Sequence, residues 1–374
     1  MVDLALRSLL HDKVRFAITV SGVAFAVTLV LVQVGLFKGL LANATVTIEH
    51  VDADLWITSR NTPNVDFAHA FPESRIHRVR SVPGVERADN LIVAFMNVQL
   101  PSGAEEGSLV YALEDFTKWG IPWNVSEGHA EDLRRGRYVF FDESSVKRYG
   151  AFEVGEHREV LGQRFRILGR TKEAKSFTTT PITFMSYPLA QSLQPTLRGN
   201  TTYVLVKLSP GADAAAVKRQ LAELLPFNDV YEKVEWANRS RSYWVDNTGI
   251  GLNMYLTVFL GCLVGIVVVA QTLYTSTMEH IKEFGTVKAI GGSNFDIYRI
   301  LARQAVVSAV LGFLLGVVPP MLLGPVLAKV DLRLLLPPAF VAEVFVGTVL
   351  LCLAASAISF RKVASIDPAL VFRA

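Results

Sequence analysis

The chain has 374 residues, of which 51% are hydrophobic and 19% charged, and its mean hydropathy is +0.34; a soluble domain carries about 25% charged residues, so this composition argues for a membrane protein. The net charge of +3 is too small to imply nucleic acid as a partner. The two cysteines, Cys262 and Cys352, both lie in apolar runs, which excludes a disulfide framework in the polar part of the chain, and no Cys/His spacing suits a metal; they read as small apolar packing residues.

Residues 1–15 are expected to form a cytoplasmic amphipathic helix, with Leu4, Leu6, Leu9 and Leu10 set against Arg7, His11 and Lys13; a frayed tail is the alternative. The first apolar run, 16–37, has no charge over 22 positions and would make a helix of about 33 Å, long enough to cross a bilayer. It is longer than a signal-peptide core and lacks a small-residue cleavage site, so it reads as a retained anchor. Arg7, Lys13 and Arg15 before it place the N-terminus in the cytoplasm.

Residues 38–249 separate this run from the next and suffice for a folded extracytoplasmic (periplasmic) domain. Helical continuation is expected over 39–50, and Ala53 to Thr58 alternates like a strand. A short helix over 74–82 is ended by Pro83-Gly84, and a second over 211–225 lies between Pro210 and Pro226. Strands are expected over 91–100, 108–113, 137–141, 158–168 and 202–208, which makes the domain α+β.

Three further apolar runs follow, at 250–274, 305–327 and 339–360. With four crossings, the N-terminus, the 275–304 loop and the 361–374 tail share one side, and the short 328–338 connector faces outward. Lys282, Lys288, Arg299 and Arg303 in the loop and Arg361, Lys362 and Arg373 in the tail agree with a cytoplasmic side. Pro319, Pro320 and Pro325 predict a kinked or ended third helix near the outer face. Gly261 and Gly265, and Gly312 and Gly316, are spaced for close helix approach, within one subunit or between two. Glu343, about one turn inside the fourth run, and Gln33 in the first read as interfacial or packing residues.

The most informative segment lies between the second and third runs. Thr275 to Lys288 has no proline and a single glycine, Gly285, so it can carry the second membrane helix into the cytoplasm. Glu279 and Glu283 share a face, with Lys282 three residues from Glu279. Gly291-Gly292 break the helix, and Asn294 to Arg303 re-enter as an amphipathic helix. Spacing alone leaves two readings open, a solvated helical hairpin and a grip for a soluble partner.

The residues Glu279, Glu283, Gly285, Lys288, Ala289, Gly291 and Ser293 match the cytoplasmic loop E-R-x-x-E-I-G-x-L-R-A-L-G-A-S of ABC permeases of the MacB/FtsX type, with His280 where many relatives have arginine. The tail from Phe360 to Leu370 resembles the family's R-x-A-x-x-D-P-A-x-A-L, and Val79 to Val85 resembles its I-x-x-I-P-G-V. Leu133, Gly136, Gly155 and Glu156 follow a loose L-x-x-G…G-E pattern. Gln33 to Phe37 and Val51 to Leu55 look most like the DevC branch. The resemblance covers nearly the whole chain. It implies four transmembrane helices with a large α+β extracytoplasmic domain between helices 1 and 2. It implies a homodimer in the inner membrane that couples to an ABC ATPase through Glu279, Lys282, Glu283, Phe284, Gly285, Lys288, Ala289, Gly291 and Gly292. A periplasmic adaptor, an outer-membrane channel and a lipid-like substrate follow from the same resemblance, with ATP and Mg held by the partner ATPase and no cofactor on this chain.

There is no G-x-x-x-x-G-K-[ST] loop and no H-E-x-x-H in the sequence, and the seven histidines are scattered. Asn-x-Ser/Thr triplets at Asn43, Asn124, Asn200 and Asn238 are short patterns that imply little. Two competing readings remain. One is an FtsX-type signalling subunit that regulates a cell-envelope enzyme, against which stands the size of the outside domain. The other is a membrane-anchored enzyme, for which a carboxylate pair such as Asp142 and Glu143 reads more simply as a solvated turn after a strand.

Overall fold

The computed structural model describes residues 13–134, 136–178, 180–279, 286, 293–330 and 332–364. The chain divides into two compact units, 40–250 and the combination of 1–39 with 251–374.

Helix α1 (Lys13–Asn43) carries the first apolar run and extends beyond it at both ends. After α2 (Val46–His50) come β1 (Leu55–Ser59), β2 (Phe71–Pro72) and α3 (Ile76–Arg80). Strand β3 (Val85–Gln99) pairs with β4 (Glu105–Leu113), and β5 (Val125–Glu127), β6 (Tyr138–Asp142) and α4 (Val146–Tyr149) follow. Then come β7 (His157–Val160), β8 (Gln163–Thr171), β9 (Ile182–Ser186), α5 (Tyr187–Leu193) and β10 (Asn200–Thr201). The domain ends with β11 (Tyr203–Leu208), α6 (Ala214–Leu224), β12 (Asn228–Glu232) and α7 (Lys233–Asp246).

The main sheet has the order β12-β1-β11-β3-β4-β9-β6-β8-β5, with β7 pairing both β3 and β8. The first half of β3, Val85 to Leu91, pairs with β11, and its second half, from Ile92, pairs with β4. Because β7 returns to β3, the strands β3-β4-β9-β6-β8-β7 close on themselves, which removes their exposed edges. Successive residues along these strands enter different cores. Ile92, Val110, Phe141 and Met185 belong to one cluster, while Val93, Tyr111, Phe140 and Phe184 belong to another. Both faces are buried, so the strands read as apolar runs rather than as alternating ones.

The sequence predicts one strand over 158–168, but the structure has two, β7 and β8. A two-residue turn at Leu161 and Gly162, both with positive φ (47° and 73°), joins them as a hairpin. Leucine is a poor marker of such a turn, which is why the run reads as continuous.

Among the described residues, four helices are long and apolar enough to cross a membrane: α1, α8 (Ile250–Glu279), α9 (Asn294–Ala328) and α10 (Pro338–Ala364). The helix α9 starts well before the apolar run at 305 and continues through Pro319, Pro320 and Pro325 to Ala328, so the prolines do not end it. Neighbouring helices and local adjustment satisfy the backbone that proline frees, a tolerance known for membrane helices. In this unit the glycines of the two spaced pairs face α1. An added Cβ at Gly261 would meet Leu29 and one at Gly265 would meet Ala26; at Gly312 it would meet Val23, and at Gly316 it would meet Val27. The Thr28 hydroxyl donates to the Gly316 carbonyl at 2.8 Å. Within the subunit these glycines lie in close approach to α1.

Candidate coupling site

The candidate coupling segment begins at the C-terminal end of α8. There the carboxylate of Glu279 accepts both terminal nitrogens of Arg15, a residue of the first turn of α1. The two side chains are partly exposed, and their pairing ties the ends of the first two membrane helices. The family resemblance implies that Glu279 meets a partner; within this chain its carboxylate is engaged by Arg15.

Thr286 is helical and exposed. Lys282, Glu283, Phe284, Gly285, Lys288, Ala289, Gly291 and Gly292 lie outside the described residues, as do His280 and the tail from 365 onward. At the far end of the segment, the Ser293 side chain accepts the Asp296 backbone N–H while the Asp296 carboxylate accepts the Ser293 backbone N–H at 2.9 Å. This reciprocal cap sets the start of α9. The pattern Ser-x-x-Asp at Ser293 is a sequence signature of such a cap that the sequence reading passed over.

A second tie lies in the inserted domain. Arg241, on α7, donates to the Glu49 carboxylate of α2 and to the Thr45 hydroxyl at 3.1 Å. Lys233 Nζ donates to the Val51 carbonyl at 2.8 Å. Nearby, Trp244 stacks on Phe177 with ring centres 3.9 Å apart, and both pack with Ala44. The element that follows α1 and the element that precedes α8 are therefore joined to each other. No sequence signal marks this contact, because its partners are separated by almost the whole domain.

Three acidic groups in the domain have environments that set their chemistry. Asp66 is 5% exposed, and burial pushes its carboxyl up to about 7, with a hydrogen bond from the Phe177 backbone opposing the shift. Asp142 is fully buried rather than part of a solvated turn. It accepts the backbone N–H of Ser144 at 3.0 Å, the Thr171 hydroxyl at 3.0 Å and the Ala174 N–H at 2.8 Å, and burial still raises its pKa. Asp142 is a structural cap, while its neighbour Glu143 accepts the Ser126 hydroxyl at 2.7 Å. By contrast, the hydrogen bond from Lys207 holds the Asp52 carboxyl below its ordinary value. No cluster of metal-ligating side chains occurs among the described residues.

Comparison with known proteins joins these observations. The profile of the MacB-like periplasmic core domain matches residues 16–224, and that of the FtsX-like permease C-terminal matches 255–368. The chain belongs to the MacB/FtsX family of ABC transporter permeases. It is 28% identical to an uncharacterized ABC transporter permease of Mycobacterium tuberculosis, over 100% of this chain and 99% of that one. It is 21% identical to the macrolide export ATP-binding/permease protein MacB of Neisseria gonorrhoeae, over 84% of this chain and 51% of that one. The periplasmic region of MacB from Actinobacillus actinomycetemcomitans aligns with a TM-score of 0.40 at 13% identity, covering 54% of this chain and 96% of that one.

Proposed function

We propose that this permease transmits the ATP-driven motion of a separate ATPase to its extracytoplasmic domain, and so extrudes a periplasmic or lipid-like substrate. The reading rests on two ties, one within each unit. Arg15 holds Glu279 where α1 and α8 meet the coupling segment, and Arg241 holds Glu49 where α2 and α7 meet in the domain. Helix α8 runs without a break from Ile250 to Glu279, which suits a lever.

In this reading two copies of the chain sit in the inner membrane with both termini in the cytoplasm. Two ATPase subunits, which hold ATP and Mg, grip the 275–304 segment. Lys282, Glu283, Phe284, Gly285, Lys288, Ala289, Gly291 and Gly292 form the gripped surface, and Glu279 anchors it to α1. A periplasmic adaptor and an outer-membrane channel complete the path. The size of the inserted domain, residues 40–250, favours export over the alternative of FtsX-type signalling. The DevC-like residues of the opening suggest the lipid-like cargo.

The test reconstitutes the full-length permease with its ATPase and measures hydrolysis and export together. The Glu283→Arg variant is expected to lose export while its partner still hydrolyses ATP. Unchanged export in that variant would overturn the assignment of the gripped surface. Copurification of an ATPase with the wild type, and its loss with Glu283→Arg, is the parallel binding readout.

A further inference from the structure

The inserted domain carries an open cleft with a volume of about 940 Å³. Glu114, just past the end of β4, and Glu131 and Asp132, in the turn before β6, bring carboxylates to its lining. None of the three takes part in an ion pair among the described residues. Arg134, also in the lining, lies 3.8 Å from Asp115 instead. A solvated acidic rim would account for the carboxylates alone, but it does not account for Ser186. This last residue of β9 lines the same cleft and is only 5% exposed. Its hydroxyl does not cap α5, and it makes no hydrogen bond among the described residues. A buried hydroxyl left without a partner costs free energy. Strand alternation gives its direction. Phe184, two residues earlier on β9, enters the core against which Tyr138 and Leu168 pack. Tyr138 and Leu168 line the cleft as well, so the Ser186 side chain points to the cleft side of the strand.

We propose that this cleft is a binding site for a linear aliphatic diamine. Three carboxylates against one guanidinium leave the lining two charges negative among the described residues, which a dication balances. The acidic groups do not converge as metal ligands do, since no cluster able to hold a metal ion occurs among the described residues. Charge spread in this way suits two separated ammonium groups rather than a point ion. Leu168 and Pro188 offer apolar surface to the methylene chain, and the face of the Tyr138 ring attracts an ammonium group. The Ser186 hydroxyl accepts an ammonium N–H and so gains the partner it lacks. A cleft that joins apolar surface to a few polar groups is the usual form of a small-molecule site. The site belongs to the inserted domain alone and does not depend on the export reading.

The test titrates the full-length protein, in nanodiscs of zwitterionic phospholipid, with 1,5-diaminopentane and follows the heat of binding. Saturable binding is expected, and pentylamine, which has one ammonium group, should bind about tenfold more weakly. Ser186→Ala should weaken diamine binding by about tenfold, the loss of one hydrogen bond to a charged group. Glu114→Gln and Asp132→Asn remove exposed carboxylates and should each weaken it by about two- to fivefold. Glu223→Gln, an exposed position of α6 outside the lining, should leave it unchanged. Absence of saturable heat up to about 10 mM diamine would overturn the proposal. Equal binding of pentylamine, or binding that magnesium chloride abolishes at the same concentration of charge, would overturn it too, because attraction between net charges would then suffice. Should Ser186→Ala not fold, the two exposed carboxylate variants decide, and unchanged binding in both counts against the site.

Discussion

Indole and phenol rings fill the interior of the inserted domain, whereas missing side chains hold the membrane helices together. In the domain, Trp56, Trp119, Trp236, Tyr111 and Tyr203 are fully buried, and Trp236 stacks on Tyr231 with centres 5.1 Å apart. In the membrane unit close approaches occur at glycines, among them Gly22, Gly39, Gly261, Gly312 and Gly316. Water explains the contrast. Burying a large ring removes area from water and drives the domain to fold. Helices already surrounded by hydrocarbon gain little from further apolar area, so close van der Waals contact and the Thr28 hydrogen bond bring them together.

Four experiments break or sharpen this contrast, and the largest effect is expected in the aqueous core. Trp236→Ala should destabilise the domain by about 3–5 kcal/mol. Denaturant unfolding of the full-length protein, followed by the remaining tryptophans, measures this loss. A change below about 1 kcal/mol would mean that ring burial does not dominate there.

Asp66→Asn comes next. The folded protein holds a proton on Asp66 up to about pH 7, whereas the unfolded chain releases it near 3.8. The contribution of this group is therefore fully present below pH 3.8 and is lost as pH rises through about 7. A shift of this size corresponds to about 4 kcal/mol across that window. The asparagine variant should lose this slope and be the more stable protein at pH 8, as unfolding curves at pH 4 and pH 8 would reveal. Parallel wild-type and variant curves would count against a buried neutral carboxyl.

In the membrane unit the informative comparison is between two glycines. Gly316→Val places a side chain against Val27 and should destabilise the bundle by about 1–3 kcal/mol. Gly347→Ala enters open space and should be close to neutral. Thermal unfolding in one detergent ranks the two, and equal effects would remove the role assigned to close approach.

The smallest effect is expected at the tie between α2 and α7. Its side chains are 38% and 51% exposed, so a double-mutant cycle on Arg241→Gln and Glu49→Gln should give about 0.2–1 kcal/mol. Under the proposed export function the same variants should lower export while stability changes by no more than that amount, which a simultaneous export and unfolding measurement would detect.

Much of the architecture was legible in the sequence. The apolar runs marked the four membrane helices because spanning a bilayer requires length and hydrophobicity, both of which are local properties. The glycine spacing announced close helix contact but not its partner. Strand pairing was harder to read. The β7–β8 hairpin hid behind Leu161, and β3 gave no sign that its two halves pair with different neighbours. The segment between α8 and α9 was singled out by its motif, yet the attachment of Glu279 to Arg15 joins residues 264 positions apart.

The sequence by itself determined the membrane topology class, the presence of a large inserted domain and the position of the polar segment between α8 and α9. Each follows from composition or spacing within a few turns of chain. Only the tertiary structure decided that α1 is the surface against which both glycine pairs pack, that Arg241 joins Glu49, that Asp66 is buried, and that Cys262 and Cys352 share one cavity. These are contacts between distant residues. They depend on which faces meet when the chain closes, and no local pattern carries that information.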